Sequence, residues 1–182
     1  PSRGLGDVYK RQVTALAGAM GLECGSVMGM AMGTSEAVGY VDRDGNVLGW
    51  LNELAFAPVD LNEEAMVDEW STDRGVGCKY FSQDAVIKLA PRAGIQLDED
   101  LTPAEKLKVV QGLMEQDDPR AAEIYDSIGA YLAYTVVLYS QFYELHHLIV
   151  LGRVMSGKGG NRILERCQEI LAAEYPLSLI HI

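Results

Sequence analysis

The chain of 182 residues is long enough to fold as one domain with a substantial hydrophobic core. Its hydrophobic fraction of 48% and mean hydropathy of +0.03 are typical of a soluble protein. The formal net charge of -11 opposes binding to nucleic acid and to anionic membranes, so we expect neither as a partner. The three cysteines lie far apart, which predicts neither a disulfide framework nor a zinc site and favours a cytoplasmic location.

Both ends of the chain differ from the rest in their composition. Residues 1–12 and 176–182 follow neither helical nor strand periodicity, and they resemble translated sequencing adapters. We therefore exclude them from the fold prediction and expect one structural unit over residues 13–175. On this interpretation the natural chain is longer at both ends.

The first predicted elements are a helix and a β-hairpin. An alanine-rich stretch predicts a helix over residues 13–22. A short apolar run predicts a buried strand over Val27–Met32, followed by a Gly-Thr-Ser turn and a second strand over residues 37–41. The polar residues 42–46 then reverse the direction of the chain.

The remainder of the chain is predicted to be mainly helical, with one further strand near its end. Ser82, Thr102 and Asp118 stand where a helix N-cap is expected, and Thr102 with Glu105 forms a capping-box pattern. In chain order we predict a short acidic helix over residues 61–70, helices beginning at residues 82, 102 and 118 with the last reaching residue 144, a strand over residues 148–151, a glycine loop over residues 152–160 and a helix over residues 161–173.

The Gly33-Thr34-Ser35 turn carries residue types that suit a phosphate group. Gly33 has no side chain, so a ligand can approach its backbone closely, and Thr34 and Ser35 supply hydroxyls and amide donors. The same three residues are also compatible with an ordinary hairpin turn that binds nothing. The turn alone therefore does not decide between the two interpretations.

Asn52 and Glu53 are polar residues between apolar neighbours in the segment 51–60. A carboxylate in such a position is either a turn residue in contact with water or a group that orients a ligand in a cleft. The sequence leaves both alternatives open.

Residues 152–158 have the G-x-x-x-x-G-K spacing of a P-loop between a predicted strand and a predicted helix. The next residue is Gly159, where the motif requires a Ser or Thr hydroxyl for magnesium. No later strand follows that would supply a second metal-binding acid. A P-loop nucleoside triphosphatase is therefore the less favoured prediction.

Four segments, in a consistent order, resemble those of one protein family. They are residues 32–41 for its second phosphate loop, 50–56 for the segment with a sugar-binding glutamate, 75–86 for its zinc loop and following helix, and 149–152 for its adenosine site. Together they resemble the second lobe of the ROK family (repressors, open reading frames and sugar kinases) of actin-like ATPases. The resemblance implies an α/β, ribonuclease H-like lobe with a β-hairpin sheet, a later parallel strand and packed helices.

The resemblance also implies a function, which is ATP-dependent phosphorylation of a sugar hydroxyl with ATP and Mg²⁺ as cofactors. Gly33, Thr34 and Ser35 would hold phosphates, and Asn52 and Glu53 would bind sugar hydroxyls. The residues implied to face the nucleoside are Gly152, Arg153, Gly157, Gly159 and Gly160.

The chain departs from the family pattern at its metal and catalytic positions. The zinc motif is reduced to Cys78, and Phe56 stands where the family has a histidine, so we expect no structural zinc. The second sugar-binding glutamate falls near Lys79 or Tyr80, which puts that contact in doubt. The family's catalytic aspartate lies just before residue 13, so we assign no catalytic residue and expect no turnover by this chain alone.

Two other functions are compatible with the same sequence. One is the non-catalytic sugar-sensing domain of a ROK-type transcriptional regulator, and the other is a purely structural α/β domain. Upstream sequence would discriminate, because a D-x-G-x-T phosphate loop indicates a kinase and a helix-turn-helix indicates a regulator. The apolar longest helix is also compatible with a homodimer.

Overall fold

The computed structural model describes residues 25–47, 53–176 and 181–182. Within these residues the α/β fold contains three strands and four α-helices. Their order is β1 (Val27–Met32), β2 (Glu36–Val41), α1 (Gln83–Leu89), α2 (Pro103–Glu115), α3 (Pro119–Tyr139), β3 (His147–Leu151) and α4 (Gly157–Glu174). The helix predicted over residues 13–22 lies outside the described residues.

The three strands form one mixed sheet in the order β2-β1-β3. β1 and β2 are antiparallel, with Met32 opposite Glu36, so Gly33, Thr34 and Ser35 form the hairpin turn. β1 and β3 are parallel, with Ala31 opposite Leu151. The predicted hairpin and the predicted later parallel strand are both confirmed.

β1 attaches the sheet to the helices through one of its faces. Successive side chains of a strand point to opposite faces, so Met28, Met30 and Met32 share one face. All three are fully buried and lie in the main hydrophobic core together with apolar side chains from all four helices. Val27, on the other face, packs with Val41 in a smaller cluster.

Local capping fixes the start of three helices where the sequence predicted it. Ser82 accepts a hydrogen bond from the Asp84 amide, and Asp118 accepts one from the Arg120 amide. Thr102 forms the predicted capping box with Glu105.

Two predictions about α-helices in the middle of the chain are wrong. α3 ends at Tyr139 rather than at residue 144. The chain turns there, and the ring of Tyr143 packs against the ring of Tyr40 with their centroids 5.0 Å apart. Residues 61–70 contain no helix. Hydrogen bonds from the backbone to nearby side chains hold this segment in turns instead. The Asn62 amide, for example, donates a hydrogen bond to the Asp60 carboxylate at 2.9 Å.

The start of α4 also differs from the prediction, because the helix begins at Gly157 and not at residue 161. Gly159 packs against the ring of Tyr125, and Gly160 packs against the backbone of Met155. Such close packing stabilises a helical turn in a sequence with low intrinsic helix propensity. The predicted glycine loop is therefore limited to residues 152–156.

The described part of the C-terminal stretch lies beside β3. The His181 amide donates to the His146 carbonyl, and the Leu148 amide donates to the His181 carbonyl, both at 2.8 Å. The rings of His147 and His181 stack with their centroids 5.4 Å apart. No helix within the described residues is long and apolar enough to cross a membrane.

Candidate functional site

Two glycine bends meet at one edge of the sheet. Because β1 and β3 are parallel neighbours, their carboxyl ends lie side by side, and the bends at Gly33 and Gly152 follow those ends. Gly152 has a φ of +113° and lies directly against the backbone of Met32, where a Cβ atom would collide with it. Only glycine allows the two strand ends to approach so closely. In open α/β sheets this edge is the usual place for a ligand.

A side-chain hydrogen bond joins the two bends. Arg153 Nη2 donates to Thr34 Oγ1 at 3.2 Å. The backbone of Arg153 is held in turn by Gln111, whose Nε2 donates to the Arg153 carbonyl at 2.8 Å. Thr34, Ser35 and Arg153 are all exposed. We call Gly33, Thr34, Ser35, Gly152 and Arg153 the strand-end edge.

The other three glycines predicted to face a nucleoside lie in the first turn of α4. Gly159 and Gly160 are buried against Tyr125 and Met155, so neither lies on the exposed surface of the strand-end edge. Gly157, with a φ of +70°, lies against the Glu115 carboxylate. Packing thus explains why these positions are glycine without reference to a ligand.

The P-loop alternative does not agree with the geometry. The Lys158 amide donates to Glu115 Oε1 at 2.8 Å, so a carboxylate from α2 occupies the start of α4. Lys158 Nζ lies 2.7 Å from Asp117 Oδ1. A P-loop lysine and helix start must both be available to phosphate, and here both are paired with acidic groups.

The predicted sugar-binding segment lies close to the strand-end edge. Glu53 directly precedes a short 3-10 turn, Leu54–Phe56. A Cβ atom on Gly77 would lie 3.1 Å from the Leu54 carbonyl oxygen and would collide with the carboxylate of Glu36. Glu36 directly follows the Gly33-Thr34-Ser35 turn. Gly77 therefore packs between the end of that turn and the segment that follows Glu53. Asn52 lies outside the described residues.

Glu36 is a buried carboxylate that the sequence prediction missed. It is the first residue of β2 and only 3% exposed. Burial and, after it, the negative charge of Glu36 raise the pKa of Tyr139. A charged residue at the start of an apolar strand was the available signal, but the predicted strand began one residue later.

The comparisons with known proteins find likeness in structure. No sequence model of a protein family matches the chain, and no curated protein matches it. A ROK hexokinase from Thermus thermophilus superimposes with a TM-score of 0.69 at 16% identity, over 90% of this chain and 54% of that one. A ROK transcriptional regulator, a homologue of the E. coli MLC protein, superimposes with a TM-score of 0.71 at 13% identity, over 94% and 45%.

The chain has the fold of ROK proteins. A third solved structure, a ROK glucokinase from Streptomyces griseus in complex with glucose and AMPPNP, gives a TM-score of 0.66 at 16% identity over 89% of this chain and 56% of that one. The chain spans about half the length of these structures. The resemblance that the sequence motifs indicated is therefore confirmed at the level of the fold.

Within this ROK-like fold, the segment compared with a zinc loop is organised by a lysine. Lys79 Nζ lies 3.1 Å from Asp68 Oδ1, 2.6 Å from Glu69 Oε2 and 2.8 Å from Asp84 Oδ2, with its side chain 7% exposed. We call these four residues the Lys79 cluster. Among the described residues, no group of three His, Cys, Asp or Glu side chains could hold a metal ion.

The pKa values of Lys79, Asp68 and Glu69 favour their charged forms. Burial alone would lower the pKa of Lys79, but hydrogen bonds to Asp84, Glu69 and Asp68 outweigh burial and raise it. Burial alone would raise the pKa of Asp68, but hydrogen bonds from the Ser71 amide and from Lys79 lower it to about 2. Hydrogen bonds from lysine ammonium groups, Lys79 first, lower the pKa of Glu69 to about 2. Lys79, Asp68 and Glu69 are therefore ionised at neutral pH.

The second position that the sequence left in doubt, Tyr80, has a structural partner. Its hydroxyl donates to Asp60 Oδ2 at 2.6 Å, and the Tyr131 hydroxyl donates to the same oxygen at 2.9 Å. These bonds join the loop before the Lys79 cluster to α3. Sequence spacing gave no signal for either network, because their partners are brought together by irregular loops.

Proposed function

We propose that the chain is the nucleotide- and sugar-binding lobe of an ATP-dependent carbohydrate kinase, which transfers a phosphoryl group from ATP to a sugar hydroxyl. The observation that carries the proposal is the hydrogen bond between Arg153 and Thr34, because it unites two glycine bends in one exposed edge. The likeness of the fold to ROK sugar kinases supports the same conclusion.

The strand-end edge has the groups that phosphate recognition needs. The hydroxyls of Thr34 and Ser35 and the amides of the turn donate hydrogen bonds to phosphate oxygens. Arg153 supplies a permanent positive charge beside them, in a chain whose formal net charge is -11. The close approach of Gly152 to the Met32 backbone brings the two bends to one edge, where their donors can act on one ligand. Gly159 and Gly160 have no part in this proposal, since they are buried.

The sugar is held by the segment next to the edge. Glu53, with Asn52 before it, accepts hydrogen bonds from sugar hydroxyls in this proposal. Phosphoryl transfer depends on positioning and on stabilisation of charge, so a phosphate-binding turn of the sheet with a sugar-binding segment beside it provides what the reaction requires.

A magnesium ion accompanies ATP in such a reaction and neutralises charge on the phosphates. The described residues contain no cluster of three acidic, His or Cys ligands. The phosphates of the bound nucleotide would hold the ion, and Thr34 and Ser35 are the hydroxyls of the strand-end edge that would assist.

A second candidate function is the sugar-sensing domain of a ROK-type regulator. The specific observation that favours it is the likeness to a solved ROK transcriptional regulator over 94% of this chain. A sensor requires the sugar segment but not the phosphate-binding edge. The two candidates therefore differ in whether the chain binds a nucleotide.

The test is isothermal titration of the chain with Mg²⁺-AMPPNP, and separately with a panel of sugars. We expect nucleotide binding that weakens about tenfold in Thr34→Val, because a hydrogen bond to a charged group is lost. Ser127→Ala, which removes a hydroxyl from α3, is the matched control and keeps the affinity. Sugar binding without nucleotide binding would reject the kinase proposal in favour of the sensor.

The kinase proposal includes the expectation that this chain alone does not turn over. The resemblance places the base of the reaction just before residue 13, where we assign no catalytic residue, and a base is needed to accept the proton of the sugar hydroxyl. A coupled assay for ADP with ATP and the sugar panel measures this. Any phosphorylation above that of a Thr34→Val sample would contradict it.

A further inference from the structure

We propose that Phe56 and Trp70 form an aromatic platform that stacks on the apolar face of an uncharged sugar ring. This inference rests on the proposed function, and it names the class of sugar that the Glu53 segment takes. The platform consists of the two rings, whose centroids lie 5.8 Å apart at an interplanar angle of 42°.

Trp70 presents its indole ring to solvent to an unusual extent. The residue is 83% exposed, although tryptophan is among the side chains that gain most from burial. A single exposed aromatic residue needs no explanation, but this one contacts a second ring. Two adjacent rings make a surface that can pack on one face of a ligand.

The backbone around Trp70 is held in place, so its exposure is not the result of a loose loop. Val67 pairs with Arg74 across the turn, and the Asp68 amide donates to the Asp73 carbonyl at 2.8 Å. The Ser71 amide donates to Asp68 Oδ2 at 2.8 Å. Asp68 is anchored in turn by the Lys79 cluster. These contacts fix the backbone position from which the Trp70 ring contacts Phe56.

The platform begins one 3-10 turn after Glu53, the predicted sugar-binding residue. Phe56 is the last residue of the 3-10 turn that Glu53 precedes, and the Phe56 amide donates to the Glu53 carbonyl at 3.0 Å. A pyranose ring has polar hydroxyls at its rim and polarised C–H bonds on its face. A carboxylate-bearing residue one 3-10 turn before an aromatic surface offers a partner for each feature, since the face of an aromatic ring carries partial negative charge.

The charges around the platform favour a neutral ligand over an anionic one. The exposed carboxylates in the surrounding loop are Glu63, Glu64, Glu69 and Asp73. Lys79 and Lys88 both bind Glu69, and the exposed Arg74 is a single further cation in that loop against these four carboxylates. The negative field opposes sugar acids and sugar phosphates. It leaves uncharged pyranoses as the class that the platform accepts.

The experiment measures binding of glucose, N-acetylglucosamine and glucuronate by isothermal titration, and in the parent chain the shift of the Trp70 indole N–H signal in NMR spectra reports contact with the ring. We expect an uncharged sugar to shift this signal, and glucuronate to bind at least about fivefold more weakly. Trp70→Ala should weaken binding of the uncharged sugar about fivefold, whereas Trp70→Phe should retain most of it. Phe142→Ala is the matched control, because Phe142 is also exposed (68%) but lies after α3.

Nucleotide affinity, measured on the same samples, separates failure of this inference from failure of the proposed function. Trp70→Ala should bind Mg²⁺-AMPPNP as tightly as the parent chain. Unchanged sugar affinity in Trp70→Ala would overturn the platform and leave the function intact. Absence of sugar binding in the parent chain would overturn both. A concentration-dependent dimer that Trp70→Ala dissociates, with no effect of sugar, would also overturn the platform.

Discussion

Arg153 Nη2 lies 3.2 Å from Thr34 Oγ1, although the two residues are 119 positions apart in the sequence. The contact exists because β3 pairs in parallel with β1, so that the two strands end at the same edge. Each residue belongs to a bend that contains glycine, and each is exposed. The pair therefore defines the place where a nucleotide would touch both bends.

The first prediction concerns the charge of Arg153. Arg153→Ala should weaken binding of Mg²⁺-AMPPNP by about tenfold, because a charge-assisted hydrogen bond to phosphate is lost. Arg153→Lys should recover part of the affinity, since it keeps the charge but not the planar donor group. Isothermal titration at low and moderate salt measures both. Arg166→Ala, which removes an exposed arginine from α4, is the control, and an equal loss there would contradict a specific role for Arg153.

The second prediction concerns the approach of the two strand ends at Gly152. Gly152→Ala should destabilise the fold by about 1–3 kcal/mol, because the residue has a positive φ and its Cβ would meet the Met32 backbone. Gly112→Ala in α2 is the matched control. It has open space around its Cβ position and should stabilise the fold by up to about 1 kcal/mol. Urea unfolding measures both values, and equal effects of the two changes would show that the junction is not tightly packed.

The third prediction concerns the Lys79 cluster. Lys79→Met should cost about 3 kcal/mol of unfolding free energy, because it leaves the buried Asp68 carboxylate without its cation. Lys88→Met removes a bridge to the exposed carboxylate of Glu69, so it should cost less than about 1 kcal/mol. Urea unfolding at neutral pH gives the comparison. A loss for Lys79→Met as small as that for Lys88→Met would contradict the anchoring role of the cluster.

The fourth prediction is a dependence of stability on pH. The pKa values of Asp68 and Glu69 are lowered to about 2 from 3.8 and 4.5, so the stabilisation is fully present above pH 4.5. Between pH 4.5 and about 2 the unfolded chain takes up protons that the folded chain does not. The unfolding free energy should therefore fall over this range. The unfolding free energy of Lys79→Met should fall less steeply with decreasing pH. Urea unfolding at several pH values measures this, and the same dependence on pH in both proteins would exclude the cluster as its source.

The hairpin and the helix caps could be predicted from the sequence because their signals are local. Met28, Met30 and Met32 alternate with smaller residues, and the Gly-Thr-Ser turn follows at once. The capping box needs only Thr102 and Glu105, which are three residues apart. In both cases the residues that determine the structure lie only a few positions apart in the sequence.

The start of α4 could not be predicted, because it depends on residues far away in sequence. Gly157, Gly159 and Gly160 have low helix propensity, so the local sequence predicts a loop at these positions. In the structure, the Glu115 carboxylate accepts a hydrogen bond from the Lys158 amide, and the ring of Tyr125 packs over Gly159. Tertiary contacts therefore outweigh the local preference.

The candidate site could be predicted only in part. Parallel pairing of β1 with β3 brings Gly33 and Gly152 together, and the family resemblance contained that pairing. The buried Glu36 and the Lys79 cluster lay beyond the prediction. Their surroundings come from irregular loops, for which sequence spacing gives no rule.

The claim that the two bends form one nucleotide site is tested most directly by mapping amide signals of the ¹⁵N-labelled chain during titration with Mg²⁺-AMPPNP. We predict that the shifts concentrate at Gly33, Thr34, Ser35, Gly152 and Arg153 and saturate with a single dissociation constant. Shifts at only one of the two bends, shifts confined to the first turn of α4, or no shifts at millimolar nucleotide would contradict the claim.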